Sequence, residues 1–353
     1  MYQTAEQYLS LSNEAALFVK RSKILYANGA AKRLFGSDCV GQKTGALLGA
    51  DISGAQTGEF IADVKIGAGR YAVRTAPVDD GYVLFFTPTR IEAPTLDTGM
   101  MGAMRDLLMS INVSCTLGRS RAERLGDEEL TDCFAGATRS YYMLSRILTN
   151  VSVLEGLAEG SFPFQAEALD VSELCQDLVD SVREVSGKVE IRTNLQPGAA
   201  VCGDRMLIQQ ALLNLISNCM SHAAGFSFIS VGLLECIDRV VLSVTDDGCG
   251  IAPETANSLF IRTDALDGTI KITRGANTGL RLVQAVAHKH SGSVVIESKP
   301  GRGTSVRLSI SKGQLPTNAL REAGEDYKPS RALLYTGLAG CLPQDFFRNT
   351  FQD

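Results

Sequence analysis

RMLIQQALLNLISNCMSH, residues 205–222, is apolar around most of a helical circumference and carries a single polar line. At helical spacing Gln210, Asn214, Asn218, Ser221 and His222 share one face, while Leu212, Leu213, Leu215, Ile216 and Cys219 fill the others. A face turned merely to water would carry Lys, Glu or Arg. This one carries neutral amides, which bury more readily and can ligate Mg²⁺ or donate to phosphate oxygens. Taken alone, a helix with a short polar stripe explains the pattern too.

Two further stretches follow it. RVVLSVTDDGCGI (239–251) ends a strand pattern in two acids and two glycines. Gly248 and Gly250 permit a sharp turn and close approach of backbone to a flat ligand, and a carboxylate at the strand end can accept from an exocyclic amine. A simple turn would look similar. GANTGLRL (275–282) precedes an amphipathic helix and could aim helix N-terminal amides at phosphates. It is not a P-loop, because GxxxxGK[ST] occurs nowhere in the chain.

Together the three become specific. Asn218 and Asp246 are 28 residues apart, Asp246 and Gly279 are 33 apart, and SGSVVIESKPGRGTSVRLSI (291–310) follows. This order resembles the ATP-binding domain shared by sensor histidine kinases, gyrase-type ATPases and Hsp90, and sensor histidine kinases most of all. The resemblance spans Ala166 to Ser311. It implies Mg²⁺ at Asn218, with Asn214 one turn earlier, and recognition of the adenine amine of ATP by Asp246, helped by Thr304. It also implies an adenine pocket shaped by Gly248 and Gly250, a phosphate-facing helix opened by Gly279, and His222 lining the nucleotide. Some positions depart from the family pattern. Ser221 stands where many members place a phosphate-contacting Lys, Asn277 and Arg281 replace two glycines, and the lid at Phe260 to Gly275 lacks most of the aromatic signature. Arg281 either clasps a phosphate or crowds the lid.

Outward from this core, the chain divides into four parts. Residues 161–312 alternate helices with strands, as in an α/β two-layer sandwich with helices on one face of a mixed sheet. Residues 96–160 hold two heptad series, Met101 to Leu125 and Leu130 to Val151, with Gly126 ending one helix and Asp127 capping the next. They predict an antiparallel hairpin whose apolar seam needs a partner, most economically a homodimer forming four helices. Residues 1–92 show two strands, a short helix entered through Asn28 and three more strands. This order resembles a PAS sensor domain, and with no ligand-binding constellation it also reads as a spacer. In residues 313–353, ALLYTGLAGCLPQDFF is too apolar to float and is expected to dock on the ATP-binding domain or the dimer. The fold class is therefore α/β multidomain.

Composition narrows the partners. The chain has 353 residues, 45% apolar and 21% charged, with a net charge of -5. Such a balance offers no footprint for phosphate backbones, so nucleic acid is not expected. No apolar run approaches the roughly 18 residues of a membrane span, and the start of the chain lacks a signal-peptide pattern, so a cytoplasmic location is expected. The nine cysteines are scattered singly and read mostly as small buried residues.

What is missing matters equally. Histidine kinases place the γ-phosphoryl of ATP on an imidazole early in the first hairpin helix, yet the first histidine of this chain is His222. In the best local match, GAMRDLL, Gly102 takes the place of that histidine and Arg105 that of the motif's arginine. His288 and His290 read as structural. Three readings remain: an ATP-binding pseudokinase that works through contacts with a response regulator or another kinase; an active kinase using a partner or an unusual acceptor such as Asp106, Ser110 or Ser114; and an anti-sigma-like interaction protein.

Overall fold

The computed structural model describes residues 9, 14–48, 60–67, 69–78, 81–88, 98–187, 189–251, 278–313 and 328–348. The expected lid and Asn277 lie outside the described residues, as do most of the linker before the hairpin and the connector before the tail.

Five strands open the chain: β1 (Ala15–Lys20), β2 (Lys23–Ala27), β3 (Phe60–Ile66), β4 (Gly69–Val78) and β5 (Gly81–Pro88). Between β2 and β3 lie α1 (Gly29–Phe35) and a short α2 (Thr44–Leu48), the latter too brief for its periodicity to show in sequence. Asn28 caps α1 by accepting from Ala31 N at 2.9 Å, and the same oxygen accepts from Ala16 N at 3.0 Å. Its amide nitrogen donates to the Glu14 carbonyl at 2.8 Å, so one buried side chain ties the helix entry to the start of β1.

The hairpin follows as α3 (Thr98–Leu125) and α4 (Glu128–Glu159). Gly126 turns the chain with φ +69°, and the Asp127 carboxylate accepts from Leu130 N at 3.0 Å, which matches the sequence reading of this junction. The expected seam is only partly buried. Met101, Cys115, Ala122, Leu148 and Val151 are enclosed, whereas Met104, Ile111, Leu125 and Leu144 are exposed.

Then come β6 (Glu167–Asp170), α5 (Val171–Ser186), β7 (Ile191–Leu195), β8 (Ala200–Gly203), α6 (Arg205–His222), β9 (Ile229–Glu235) and β10 (Arg239–Asp246). After the undescribed stretch are α7 (Thr278–Lys289), β11 (Val294–Ser298) and β12 (Thr304–Ser311). The sheet β11-β12-β10-β9-β7 is mixed, with β7 and β9 parallel and the other pairs antiparallel. Side chains of β10 alternate buried and half-buried, as a sheet covered on one face requires. α5, α6 and α7 supply the buried cover through residues such as Leu174, Leu178, Leu212 and Val286. β6 and β8 pair with each other as a separate ribbon, four residues each and too short to announce themselves by alternation.

Two features join the parts. β3 pairs antiparallel with β11, so the N-terminal strands and the C-terminal sheet form one ten-stranded sheet. Val295 of β11 accordingly belongs to the N-terminal core. The tail, α8 (Arg331–Leu338) with a 3-10 turn at Gln344–Arg348, docks where it was expected, on α6, and on α4 as well. Leu338, Ala339 and Phe347 are fully buried there. Arg139 donates to the carbonyls of Ala339 (3.0 Å) and Gly340 (3.1 Å), Arg119 donates to that of Phe347 (2.8 Å), and Arg348 pairs with Asp132. These contacts satisfy carbonyls that the end of a short helix leaves open.

Candidate functional site

α6 runs beneath the sheet with Asp204 at its N-cap, accepting from Leu207 N at 3.0 Å. Its apolar residues are buried on the surrounding elements, which fixes the helix rotation and points the amide line at the end of β10 and the start of α7. Asn218 is half-buried, and no described residue hydrogen-bonds its amide. Gln210, one turn before Asn214, is buried with Oε1 lacking a hydrogen-bond partner.

At the other end of the line stands Asp246. It is buried, and its Oδ1 accepts from Gly248 N at 3.0 Å and Thr304 N at 3.3 Å. These donors lock the carboxylate at the end of β10. Thr304 Oγ1 also shares a 2.9 Å bond with Ser298 Oγ, so the GRGT turn is held to the strand beside it. Cys219 of α6 adjoins Asp246, and burial first, then the Asp246 charge and hydrogen bond, pushes its thiol well above the usual cysteine range. Asp247 accepts from Ser227 N (2.7 Å) and Phe228 N (3.1 Å), and the Phe228 and Ser227 bonds hold its carboxyl below the usual range.

The glycines are placed by contact. Gly303, at φ +84°, passes so close to Asp246 that a Cβ would stand 1.9 Å from its carbonyl oxygen, and only glycine fits. A Cβ at Gly279 would meet Asn214 Oδ1 at 2.7 Å, which brings the first turn of α7 against the amide line. Gly248 abuts Ala223, just past α6, and Gly250 abuts the Lys299 carbonyl. His222 is exposed at the end of α6, with Cys249 Sγ 3.7 Å from its carbonyl oxygen, and Arg281 is half-buried on α7. The fold thus brings Asp246, Gly248 and Gly279 against α6, which carries Asn214, Asn218 and His222, with Thr304 on Asp246; Gly250 lies at Lys299 and Arg281 on α7. Gly102 is half-buried at the fifth position of α3.

The structure adds a contact that sequence reasoning missed. Arg146 of α4 donates from Nη2 to Asn214 Oδ1 at 2.9 Å and from Nη1 to Ser217 Oγ at 2.7 Å. Asn150, one turn on, approaches the same Asn214 oxygen at 3.4 Å. A cation and an amide four residues apart, within a helix segment that otherwise buries Leu148, Val151 and Leu154, is the signal that could have revealed it. Cys341 of the tail completes this end, with Sγ 3.1 Å from Ser217 Oγ and 3.2 Å from Ser221 Oγ.

Residues 203–314 match the family model of the histidine kinase-, DNA gyrase B-, and HSP90-like ATPases. This chain carries an ATPase domain of the histidine kinase family. The sensor-like histidine kinase SenX3 of Mycobacterium tuberculosis is 31% identical over 145 residues, 40% of this chain and 35% of that protein. The histidine protein kinase DivJ of Caulobacter vibrioides is 31% identical over 173 residues, 46% of this chain and 28% of that protein. The matches therefore take in well under half the length of these relatives. The structure of the Acinetobacter baumannii histidine kinase AdeS is similar at 18% identity and TM-score 0.42, covering 58% of this chain and 98% of that one. Within the ATPase domain, the amide line of α6, the anchored Asp246 and the start of α7 all fall inside the matched residues. No described helix is long and apolar enough to cross a membrane.

Proposed function

We propose that this protein binds Mg-ATP as a sensor-histidine-kinase-like signalling protein and does not phosphorylate its own hairpin. The observation that carries the reading is the pairing of an assembled ATPase-type site with a hairpin that contains no histidine. Neutral amides, an anchored carboxylate and glycine turns are the donor set that a magnesium nucleotide needs. The open amide of Asn218 and the orphaned Gln210 oxygen fit a ligand that brings a cation and further donors. In this assignment Asn218 holds the metal, with Asn214 beside it. Asp246 and Thr304 recognise the adenine edge, Gly248 and Gly250 shape its pocket, and His222 lines it. Gly279 and Arg281 serve the phosphates. Mg-ATP, once bound, supplies charge and a transferable phosphoryl group.

A homodimer through the hairpin accompanies this reading. Leu107, Ile111, Val113 and Leu117 are exposed along α3, an apolar face that water does not favour. The N-terminal strands fit a PAS-like sensory unit, and a response regulator or another kinase is the downstream partner. Boundaries near residues 92, 160 and 312 separate sensor, hairpin, ATPase domain and tail.

Calorimetry with a nonhydrolysable ATP analogue, with and without Mg²⁺, tests the site. Wild type should bind in a metal-dependent way and Asp246→Ala should not. Incubation with γ-labelled ATP tests the chemistry: acid-labile label retained on the protein alone would refute the pseudokinase.

A further inference from the structure

Four arginines lie where the hairpin meets the rest of the chain. Arg119, Arg139 and Arg348 hold the tail, by backbone carbonyls or by Asp132. The fourth, Arg146, spends both of its hydrogen-bonding nitrogens on α6, at Asn214 and Ser217. Among the described residues no carboxylate pairs with it. Burial holds its pKa below the usual arginine value, and a guanidinium still remains charged near neutral pH.

Its surroundings ask for an anion. α6 carries no lysine or arginine after Arg205, so its amide line brings no positive charge of that kind of its own. A Cβ on Gly279 would lie 3.6 Å from Arg146 Nη2, which places the guanidinium against the first turn of α7. The first N–H groups of a helix have no partner within the helix itself, and that turn carries the positive end of the helix dipole. Two positive ends side by side repel unless negative charge comes between them, and a phosphate satisfies both.

Position along α6 says which phosphate. Asp246 adjoins Cys219 and Gly248 abuts Ala223, whereas Asn214 is five to nine residues earlier, about 7–13 Å along the axis. A nucleotide anchored by its base at Asp246 and extended along this line directs its last phosphate toward Asn214. We propose that Arg146, reaching in from the hairpin, binds the terminal phosphate of ATP at the distal end of the α6 amide line. With that phosphate in place, Nη2 would exchange the neutral Asn214 oxygen for a charged one. The inference rests on the Mg-ATP reading and adds that triphosphate affinity depends on how the hairpin is seated.

Full-length protein is titrated by calorimetry with Mg²⁺ and either a nonhydrolysable ATP analogue or ADP. Arg146→Gln should weaken the ATP analogue by roughly 10- to 100-fold while ADP changes by less than about threefold, the scale of one charge-assisted contact. Arg146→Lys should fall between. Arg139→Gln, on the same helix but holding only the tail, should leave the ratio of the two affinities unchanged. Equal loss for both nucleotides, or no loss, overturns the inference. If thermal melting shows Arg146→Gln unfolded, the Lys variant decides: a ratio equal to wild type overturns the proposal and a shifted one supports it. Wild type that binds neither nucleotide defeats the Mg-ATP reading itself, a result distinct from wild type that binds while Arg146→Gln is silent.

Discussion

α3 and α4 share a partly buried heptad seam, and their apolar residues beside that seam meet different fates. α3 leaves Leu107 66% exposed and Leu117 67% exposed, whereas α4 buries Val153 and holds Leu154 at 1%. The difference comes from what lies beyond each helix. α4 is covered a second time, by α7 and by the tail, whereas α3 meets the tail through Arg119 and the Phe347 carbonyl. An apolar residue on a helix thus marks surface that favours cover, without stating what supplies it. α4 is the helix in contact with the ATPase domain, and α3 is the one through which the proposed homodimer would form.

Substitutions can break this contrast. The largest effect is expected for Leu154→Ala, which should cost about 2–5 kcal/mol in denaturant unfolding because it opens a cavity where α4 joins the main core. A value near zero would mean that α4 is not seated on the ATPase domain in solution. Arg139→Gln removes the cation from two tail carbonyls and should cost about 1–3 kcal/mol. Hydrogen exchange should then rise in α8 ahead of α3.

The ATPase domain should also be the region sensitive to mild acid. His290 is buried, with Nε2 accepting from Asp204 N at 3.0 Å and Nδ1 2.8 Å from the Val286 carbonyl. Burial lowers its pKa below the ordinary 6.5, so below that pH the unfolded chain binds a proton that the folded chain refuses. Stability should decline as pH falls through about 6.5 and further until the folded-state pKa is reached. Thermal melts of wild type from pH 8 to 5.5 should show this slope, and His290→Gln should flatten it. The smallest effect is reserved for Leu107→Ala, within about 0.5 kcal/mol for dilute monomer. The same change should weaken self-association measured by light scattering, and an unaltered dimer would show that α3 is not its interface.

Much of this molecule was legible in advance, and particular residues show why. Gly126 and Asp127 fix the hairpin turn by local backbone chemistry, and β10 and β12 announce themselves through alternation and turn glycines. Asp246, Asn218 and Gly279 were legible because the order of their three motifs resembles that of a known ATP-binding domain. What escaped depends on distant contacts. Arg146 and Asn214 are 68 positions apart and meet through the seating of one domain on another. The β3–β11 pairing likewise has no local mark, since either strand would satisfy the same pattern alone.

That pairing has a consequence for solubility. An exposed strand flank offers a row of unmatched N–H and C=O groups on which a second chain can template itself. Because β3 and β11 consume each other's flanks, the ribbon retains only β2 and β7 as open ends among the described residues, one at each extremity. Prying the two units apart would create two fresh templates at once, so their separation should be accompanied by aggregation, not by two well-behaved fragments.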